Sequence, residues 1–195
     1  MRLFIALDLD DTIREKVIGF MEGARGFAPE ARWARPESLH ITLKFVGQWP
    51  DDKLAEMQQV LQGIRAERFE LTVGDHGFFP TAKAPRVFWI GIQAGPQVSA
   101  LASAIDERTV SLGVAREEHA FSPHLTLARR AGGSGAPRKN KDDHPNRAFA
   151  RLQEKLTRMS QLDFGAMTAR EFFLYRSELS PHGSRYTKLF DFPLT

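Results

Sequence analysis

Apolar and polar positions along this chain follow two periods, near 2 and near 3.6, and the changes between them mark the elements. Residues 2–9 alternate weakly and predict a first strand. Asp10, Asp11 and Thr12 offer an N-cap, after which Ile13, Val17, Phe20 and Met21 recur at helical spacing until residues 23–29 break the helix. Residues 39–46 predict a strand closed by Gly47 and Pro50. Residues 51–65 predict a helix with Leu54, Met57, Val60, Leu61 and Ile64 on one face. Further on, 69–73 reads as a strand and Gly74, Asp75, His76 and Gly77 as a turn. Residues 86–92 form an apolar run with little alternation, which predicts a strand buried on both faces. Residues 96–112 predict a helix stopped by Gly113, 125–128 a strand, 132–137 a Gly-rich loop and 146–159 a helix. Residues 170–178 and 185–192 predict paired strands across a turn at 180–183. Helices interleave with hairpins, so a purely parallel sheet is not expected. No linker separates independent units, and 1–195 is expected to form a single domain.

Within this pattern one tetrad occurs twice. His40-Ile41-Thr42-Leu43 and His124-Leu125-Thr126-Leu127 are near copies 84 positions apart, each inside an apolar run of strand character. With six His in 195 residues, about 0.03 such tetrads would arise by chance. The two copies fall in the two halves of the chain, which points to internal duplication.

Alternate residues of a strand share a face. His40 and Thr42 therefore face one way and Ile41 and Leu43 the other, and His124 and Thr126 stand likewise against Leu125 and Leu127. The apolar members hold the register by burial, leaving the polar pair toward a groove. Histidine exchanges protons near neutral pH, and a threonine hydroxyl suits a nonbridging phosphate oxygen. Duplicating the unit sets one imidazole on each side of a phosphorus atom. In-line displacement needs a base on the entering oxygen and an acid on the leaving one. A lone His on a strand is more often structural, but packing gives no reason to repeat the His together with the Thr. Pairs of His also bind zinc, yet neither copy brings a nearby carboxylate or third His, so neither a metal nor another cofactor is expected. His76, His119, His144 and His182 lie in polar stretches and are expected to face solvent.

Composition changes the picture in three places. The chain has no cysteine, which excludes disulfides and thiolate chemistry and fits a reducing compartment. No stretch approaches a membrane span, and the N-terminal apolar run is too short for a signal segment, so a cytoplasmic protein is expected. Net charge is +3 with a pI near 9.4, mildly favouring anionic ligands. The basic residues Arg129, Arg130, Arg138, Lys139, Lys141 and Arg147 face only Asp142 and Asp143, beside the second tetrad. They form either a solvated loop or a phosphate-attracting rim.

The residues quoted so far resemble the 2H phosphoesterase superfamily, and within it the RNA 2′,3′-cyclic phosphodiesterases, also called 2′-5′ RNA ligases. The similarity extends through Arg32-Trp33, Pro36 to Gly47, Pro85 to Gly91, Phe121 to Arg129, Leu174 to Leu179 and Gly183 to Tyr186. The resemblance implies an α+β, bilobal fold of approximate two-fold symmetry. Two antiparallel sheets would line a central cleft, with helices outside and the two lobes intertwined. It implies hydrolysis of a terminal ribose 2′,3′-cyclic phosphate on RNA ends to a 2′-phosphate, with 2′-5′ ligation as the reverse; a monomer is expected. His40 would protonate the leaving O3′ and His124 would activate water. Thr42 and Thr126 would hold phosphoryl oxygens and Arg129 would supply positive charge.

Strict alternation, however, puts Arg129 on the face opposite His124. It reaches the phosphate only if the strand ends or bulges near Ala128; Arg130 has the better parity. Among the aromatics, Phe45 and Tyr186 are candidates to stack a terminal base. Two rival readings remain. One keeps the chemistry on a small substrate such as ADP-ribose cyclic phosphate or 2′-5′ oligoadenylate. The other is a binding module without turnover, whose cue would be a missing His or Thr.

Overall fold

The computed structural model describes residues 1–131, 147–180 and 183–195. Most of the Gly-rich basic loop, with His144 and His182, lies outside the described residues. The strands are β1 (Arg2–Leu7), β2 (Ala31–Trp33), β3 (Ile41–Gln48), β4 (Phe69–Phe79), β5 (Val87–Ala94), β6 (His124–Arg130), β7 (Asp163–Ala169), β8 (Glu171–Ser180) and β9 (Gly183–Pro193). The helices are α1 (Asp11–Arg25), α2 (Leu54–Gln62), α3 (Pro96–Val110) and α4 (Ala150–Thr157). None of the helices among the described residues is long and apolar enough to cross a membrane.

The strands join as β7-β4-β5-β6-β3-β1-β8-β9, with β2 against β6, and the pairings are antiparallel. Two four-stranded arms meet where β3 touches β6, at the single rung Ile41↔Leu125. The two expected antiparallel sheets are thus two arms of one continuous nine-stranded sheet, joined at that rung. Each arm runs outward from its motif strand, as β6-β5-β4-β7 on one side and β3-β1-β8-β9 on the other. The arms do not follow the halves of the chain, because β1 and β3 are completed by the C-terminal hairpin β8-β9.

The helices pack on one face of this sheet. Ile13, Val17 and Met21 of α1, Met57 and Leu61 of α2, Val98, Leu101 and Ile105 of α3, and Leu152 and Leu156 of α4 join one apolar cluster with Ile5, Ile41, Leu43, Phe88, Ile90, Leu125 and Leu127. Full burial of side chains of this size stabilises by about 1.5–3 kcal/mol each, so the rung Ile41↔Leu125 is held from behind. The opposite face carries a smaller cluster of Phe4, Ala6, Phe173 and Tyr175, with Tyr186 against it.

Several elements depart from the sequence pattern. Residues 74–77 are not a turn: β4 runs straight through them, with an irregularity at Asp75, whose φ is 55°. The glycines there serve close approach. A Cβ on Gly74 would lie 2.6 Å from the Leu162 carbonyl oxygen, and one on Gly77 would lie 2.1 Å from the Trp89 ring. β5 is not buried on both faces. Phe88 and Ile90 face the core, while Val87 and Trp89 are only half-buried on the other side. β7, unforeseen, pairs with the outer edge of β4. Its sequence is short and broken by Gly165, which adopts φ 103°. Asp10 occupies the α1 N-cap but makes no side-chain cap bond.

Lys44 is the buried cation of the core face. Its ammonium donates to Asp106 at 2.5 Å and to the Ala115 carbonyl at 2.7 Å, tying β3 to the end of α3. Burial works to raise the Asp106 carboxyl, but Lys44, the Glu117 amide and Arg116 outweigh it and hold the group below the usual carboxylate range. Removing one partner of a buried pair strands the other charge, at about 3–5 kcal/mol. Lys44→Ala is therefore expected to lose roughly 3 kcal/mol in urea unfolding, and a loss below about 1 kcal/mol would show that the pair behaves as a surface one.

Candidate active site

Because β3 and β6 run antiparallel through Ile41↔Leu125, His40 and Thr126 flank one side of that rung and Thr42 and His124 the other. Ile41 and Leu125 point into the core and are fully buried. The four polar side chains are half-buried on the opposite, cleft-facing side. Neither threonine hydroxyl is engaged in a hydrogen bond within the described residues, so both are open to a ligand.

Each imidazole hangs on a backbone carbonyl two residues upstream. His40 Nδ1 lies 2.8 Å from the Ser38 oxygen and His124 Nδ1 2.7 Å from the Ser122 oxygen. A carbonyl only accepts, so Nδ1 carries the hydrogen in both rings and Nε2 is left to exchange protons. The repeat in the sequence is thus longer than a tetrad: Ser-x-His-x-Thr-Leu occurs at 38–43 and at 122–127. The first of these carbonyls sits in a 3₁₀ turn, Pro36–Ser38. Ser38 Oγ donates to the Arg35 carbonyl at 2.9 Å, and Arg14 donates to the carbonyls of Pro36 (2.8 Å) and Leu39 (3.3 Å).

Aromatic rings wall both imidazoles. Phe4 lies 4.7 Å from His40 by centroids and Tyr186 meets it edge-on at 5.2 Å; Phe79 meets His124 edge-on at 5.0 Å, with Trp89 at 6.3 Å. Taking water away from the charged form dominates both titrations. Burial pulls His40 down to about 4, against the Ser38 carbonyl and the Asp8 charge, which raise it; Arg129 and His124 lower it further. His124 is also lowered, first by burial and then by Arg129, with the Ser122 carbonyl opposing.

Arg129 acts on both histidines, and the geometry explains how it gets there. Trp89 pairs with Thr126 but Phe88 pairs with Ala128, so Leu127 is an extra residue in β6. That bulge turns Leu127 and Ala128 both toward the core and returns Arg129 to the cleft side. Arg130, favoured by unbroken alternation, thereby loses its parity. The first motif repeats the device. Ala6 pairs with Thr42 and Ile5 with Lys44, leaving Leu43 extra. Leu43 and Lys44 are buried, and Phe45, the counterpart of Arg129, emerges 54% exposed. Arg129 forms no ion pair among the described residues, and burial lowers its own proton affinity, against Tyr186 and together with Arg32. A half-buried guanidinium without a carboxylate is suited to an anion.

Asp8 is the functional candidate that motif reasoning missed. Its carboxylate receives Arg14, the Leu9 amide at 3.0 Å and Lys188 at 2.6 Å. The same Arg14 clamps the Pro36–Ser38 turn, so Asp8 both braces that turn and lends negative charge to His40. The one sequence signal was a conspicuously acidic start after β1, which also reads as a helix cap. His76 and His119 are solvent-exposed, as expected, and no group of three metal-ligating side chains occurs among the described residues.

Comparison with known proteins shows the family. The family described as LigT like Phosphoesterase matches residues 7–89. An RNA 2′,3′-cyclic phosphodiesterase of Archaeoglobus fulgidus is 34% identical over 189 residues, covering 97% of this chain and 98% of that protein. One from Methanothermobacter thermautotrophicus is 33% identical, covering 97% and 96%. The crystal structure of E. coli LigT complexed with 3′-AMP superposes with a TM-score of 0.77 at 28% identity, covering 100% of this chain and 98% of that one.

Two substitutions with opposite signs test the electrostatics. Arg129→Met removes a cation that both rings feel, so the imidazole titrations of His40 and His124 both move up. Asp8→Asn keeps an acceptor for Arg14 but removes the charge, so His40 alone moves, downward. NMR titration of the two rings reads both; a common shift in the Asp8 variant, or none in the Arg129 variant, would contradict the assignment.

Proposed function

Because the chain belongs to the LigT-like RNA 2′,3′-cyclic phosphodiesterases, we propose that it opens a terminal ribose 2′,3′-cyclic phosphate to a 2′-phosphate, with His40 as acid and His124 as base. The observation that supports these roles is the matched pair of imidazoles. Each is hung by Nδ1 on the carbonyl of a serine two residues upstream, leaving Nε2 to exchange protons, and both are within the field of Arg129, which forms no ion pair among the described residues.

The cyclic phosphate is an anion, and Arg129 with the Thr42 and Thr126 hydroxyls suits its two nonbridging oxygens. His124 Nε2 accepts a proton from water as the water oxygen bonds to phosphorus. The P–O3′ bond breaks in line, and His40 Nε2–H protonates O3′ as it leaves. The product keeps phosphorus on O2′ and gains a free 3′-hydroxyl. Each histidine ends in the other's starting state, and proton exchange with solvent resets the pair. If the 5′-hydroxyl of a second RNA takes the place of water, the same steps form a 2′-5′ linkage. Asp8 raises His40 and not His124, partly offsetting the burial that disfavours the charged form of His40.

The exposed Phe45 ring, 6.3 Å from Phe4 by centroids, supplies a face on which the terminal base can stack. We take the enzyme to act as a cytoplasmic monomer on RNA ends; a chain without cysteine suits a reducing compartment.

Two measurements test the roles. His40→Ala and His124→Ala each lower kcat by about 10²–10⁴-fold while circular dichroism and the melting temperature stay near wild type, and EDTA leaves wild-type turnover unchanged. Undiminished turnover in either variant removes that residue from the chemistry. The pH profile follows from the titrations. Activity needs His40 charged and His124 neutral. Both groups titrate below the ordinary 6.5 in the free enzyme, His40 near 4. The kcat/KM optimum therefore lies below about pH 6.5, midway between the two values. A bound phosphate anion raises both values, so the kcat optimum lies at higher pH than the kcat/KM optimum. A kcat/KM optimum at or above pH 7 would break this account.

A further inference from the structure

A cavity of about 320 Å³ opens beside the His40 wall of the cleft, lined by Arg35, Glu37, Ser38, Ser184, Arg185 and Tyr186. It lies between the Pro36–Ser38 turn and the start of β9. Two of its residues also touch the reaction centre. The Ser38 carbonyl holds His40 Nδ1 at 2.8 Å, and the Tyr186 ring stands edge-on to His40 at 5.2 Å. The cavity is thus contiguous with the site where the cyclic phosphate reacts.

We propose that this cavity holds the phosphodiester that links the terminal ribose to the rest of the RNA, one nucleotide upstream of the reacting phosphorus. The inference rests on the cyclic phosphodiesterase reading and adds a substrate preference to it.

Charge and position argue for this occupant. The terminal ribose carries its upstream linkage on O5′, away from the ring edge that bears the cyclic phosphate. The linkage must therefore leave the reaction centre along a wall of the cleft. This wall presents guanidinium groups from two separate segments, Arg35 before the turn and Arg185 on β9. Glu37 approaches Arg35 at 3.9 Å with its carboxylate largely exposed. Among the described lining residues guanidinium groups outnumber carboxylates, which suits a phosphodiester anion. Arg185 is exposed and forms no ion pair among the described residues. Glu178, opposite it in the β8-β9 ladder, is held instead by Arg176 at 2.8 Å. Ser38 Oγ already donates to the Arg35 carbonyl. The half-buried Ser184 hydroxyl makes no hydrogen bond within the described residues and is available as a neutral donor. A positive rim continues toward the reacting phosphorus, since Arg32 lies opposite Arg129 in the β2-β6 register. The cavity and that rim together describe a track for a polyanion.

Three cyclic-phosphate substrates and one variant test the proposal (a mononucleotide, a dinucleotide with its natural linkage, and the same dinucleotide with an uncharged methylphosphonate linkage), and a fourth substrate, a mononucleotide bearing a 5′-pyrophosphate ester, tests the choice of occupant. For wild-type enzyme, kcat/KM on the natural dinucleotide exceeds the other two by about tenfold or more. Arg185→Gln removes that advantage through KM and leaves the mononucleotide rate within about twofold of wild type. Indifference of the wild type to the linkage charge would overturn the proposal, as would an equal loss on all three substrates in Arg185→Gln. A mononucleotide bearing a 5′-pyrophosphate ester that outperforms the natural dinucleotide would overturn the choice of RNA as occupant. Wild-type enzyme inert on every substrate would overturn the parent reading and the subsite with it.

Discussion

One rung of backbone pairing, Ile41 against Leu125, holds the molecule's two arms together and aims its chemistry. Both side chains are fully buried, so neither strand can slip by one residue without turning its histidine into the core. The antiparallel sense of the rung makes the two motifs mutual images. Each histidine faces the other motif's threonine, and a ligand between them meets the same two groups from either side. A parallel pairing, or a register shifted by one, would leave two unrelated histidines.

Symmetry of the frame then allows asymmetry of the lining. Both motif strands carry one extra leucine after the threonine, Leu43 and Leu127, and both therefore bring the third residue beyond the threonine back to the cleft. In one arm that residue is Arg129, in the other Phe45. The charge goes to one side and the apolar ring to the other. Asp8 adds a second asymmetry, acting on His40 and braced by Arg14 and Lys188. An acid and a base need different surroundings, and in a pseudo-symmetric fold such substitutions supply them.

Much of this was readable before the fold was known. The His and Thr positions followed from alternation, because buried apolar partners leave no other face for them. Strand and helix identities followed mostly from period. What stayed hidden has physical reasons. A β-bulge has no local signature in Thr-Leu-Ala-Arg, since Leu127 and Ala128 are both apolar and fit either face. Hence Arg129 was suspected from resemblance and placed only by register. Asp8 fell inside the first predicted strand with nothing to single it out, since side-chain charge says nothing of a partner 180 residues away. The glycines of β4 read as a turn because Gly serves equally for turns and for close approach, and only the Trp89 ring shows which. The serine carbonyls that orient the histidines are backbone atoms, invisible to residue type.

The central claim is that both Nε2 atoms address one phosphorus from opposite sides. A crystal structure with a nucleoside vanadate, whose trigonal-bipyramidal centre imitates in-line displacement, tests it most directly. The account predicts His40 Nε2 and His124 Nε2 each within about 2.6–3.2 Å of the two apical oxygens, with Arg129, Thr42 and Thr126 on the equatorial ones. A vanadium centre reached by only one imidazole, or with both rings on equatorial oxygens, would contradict it.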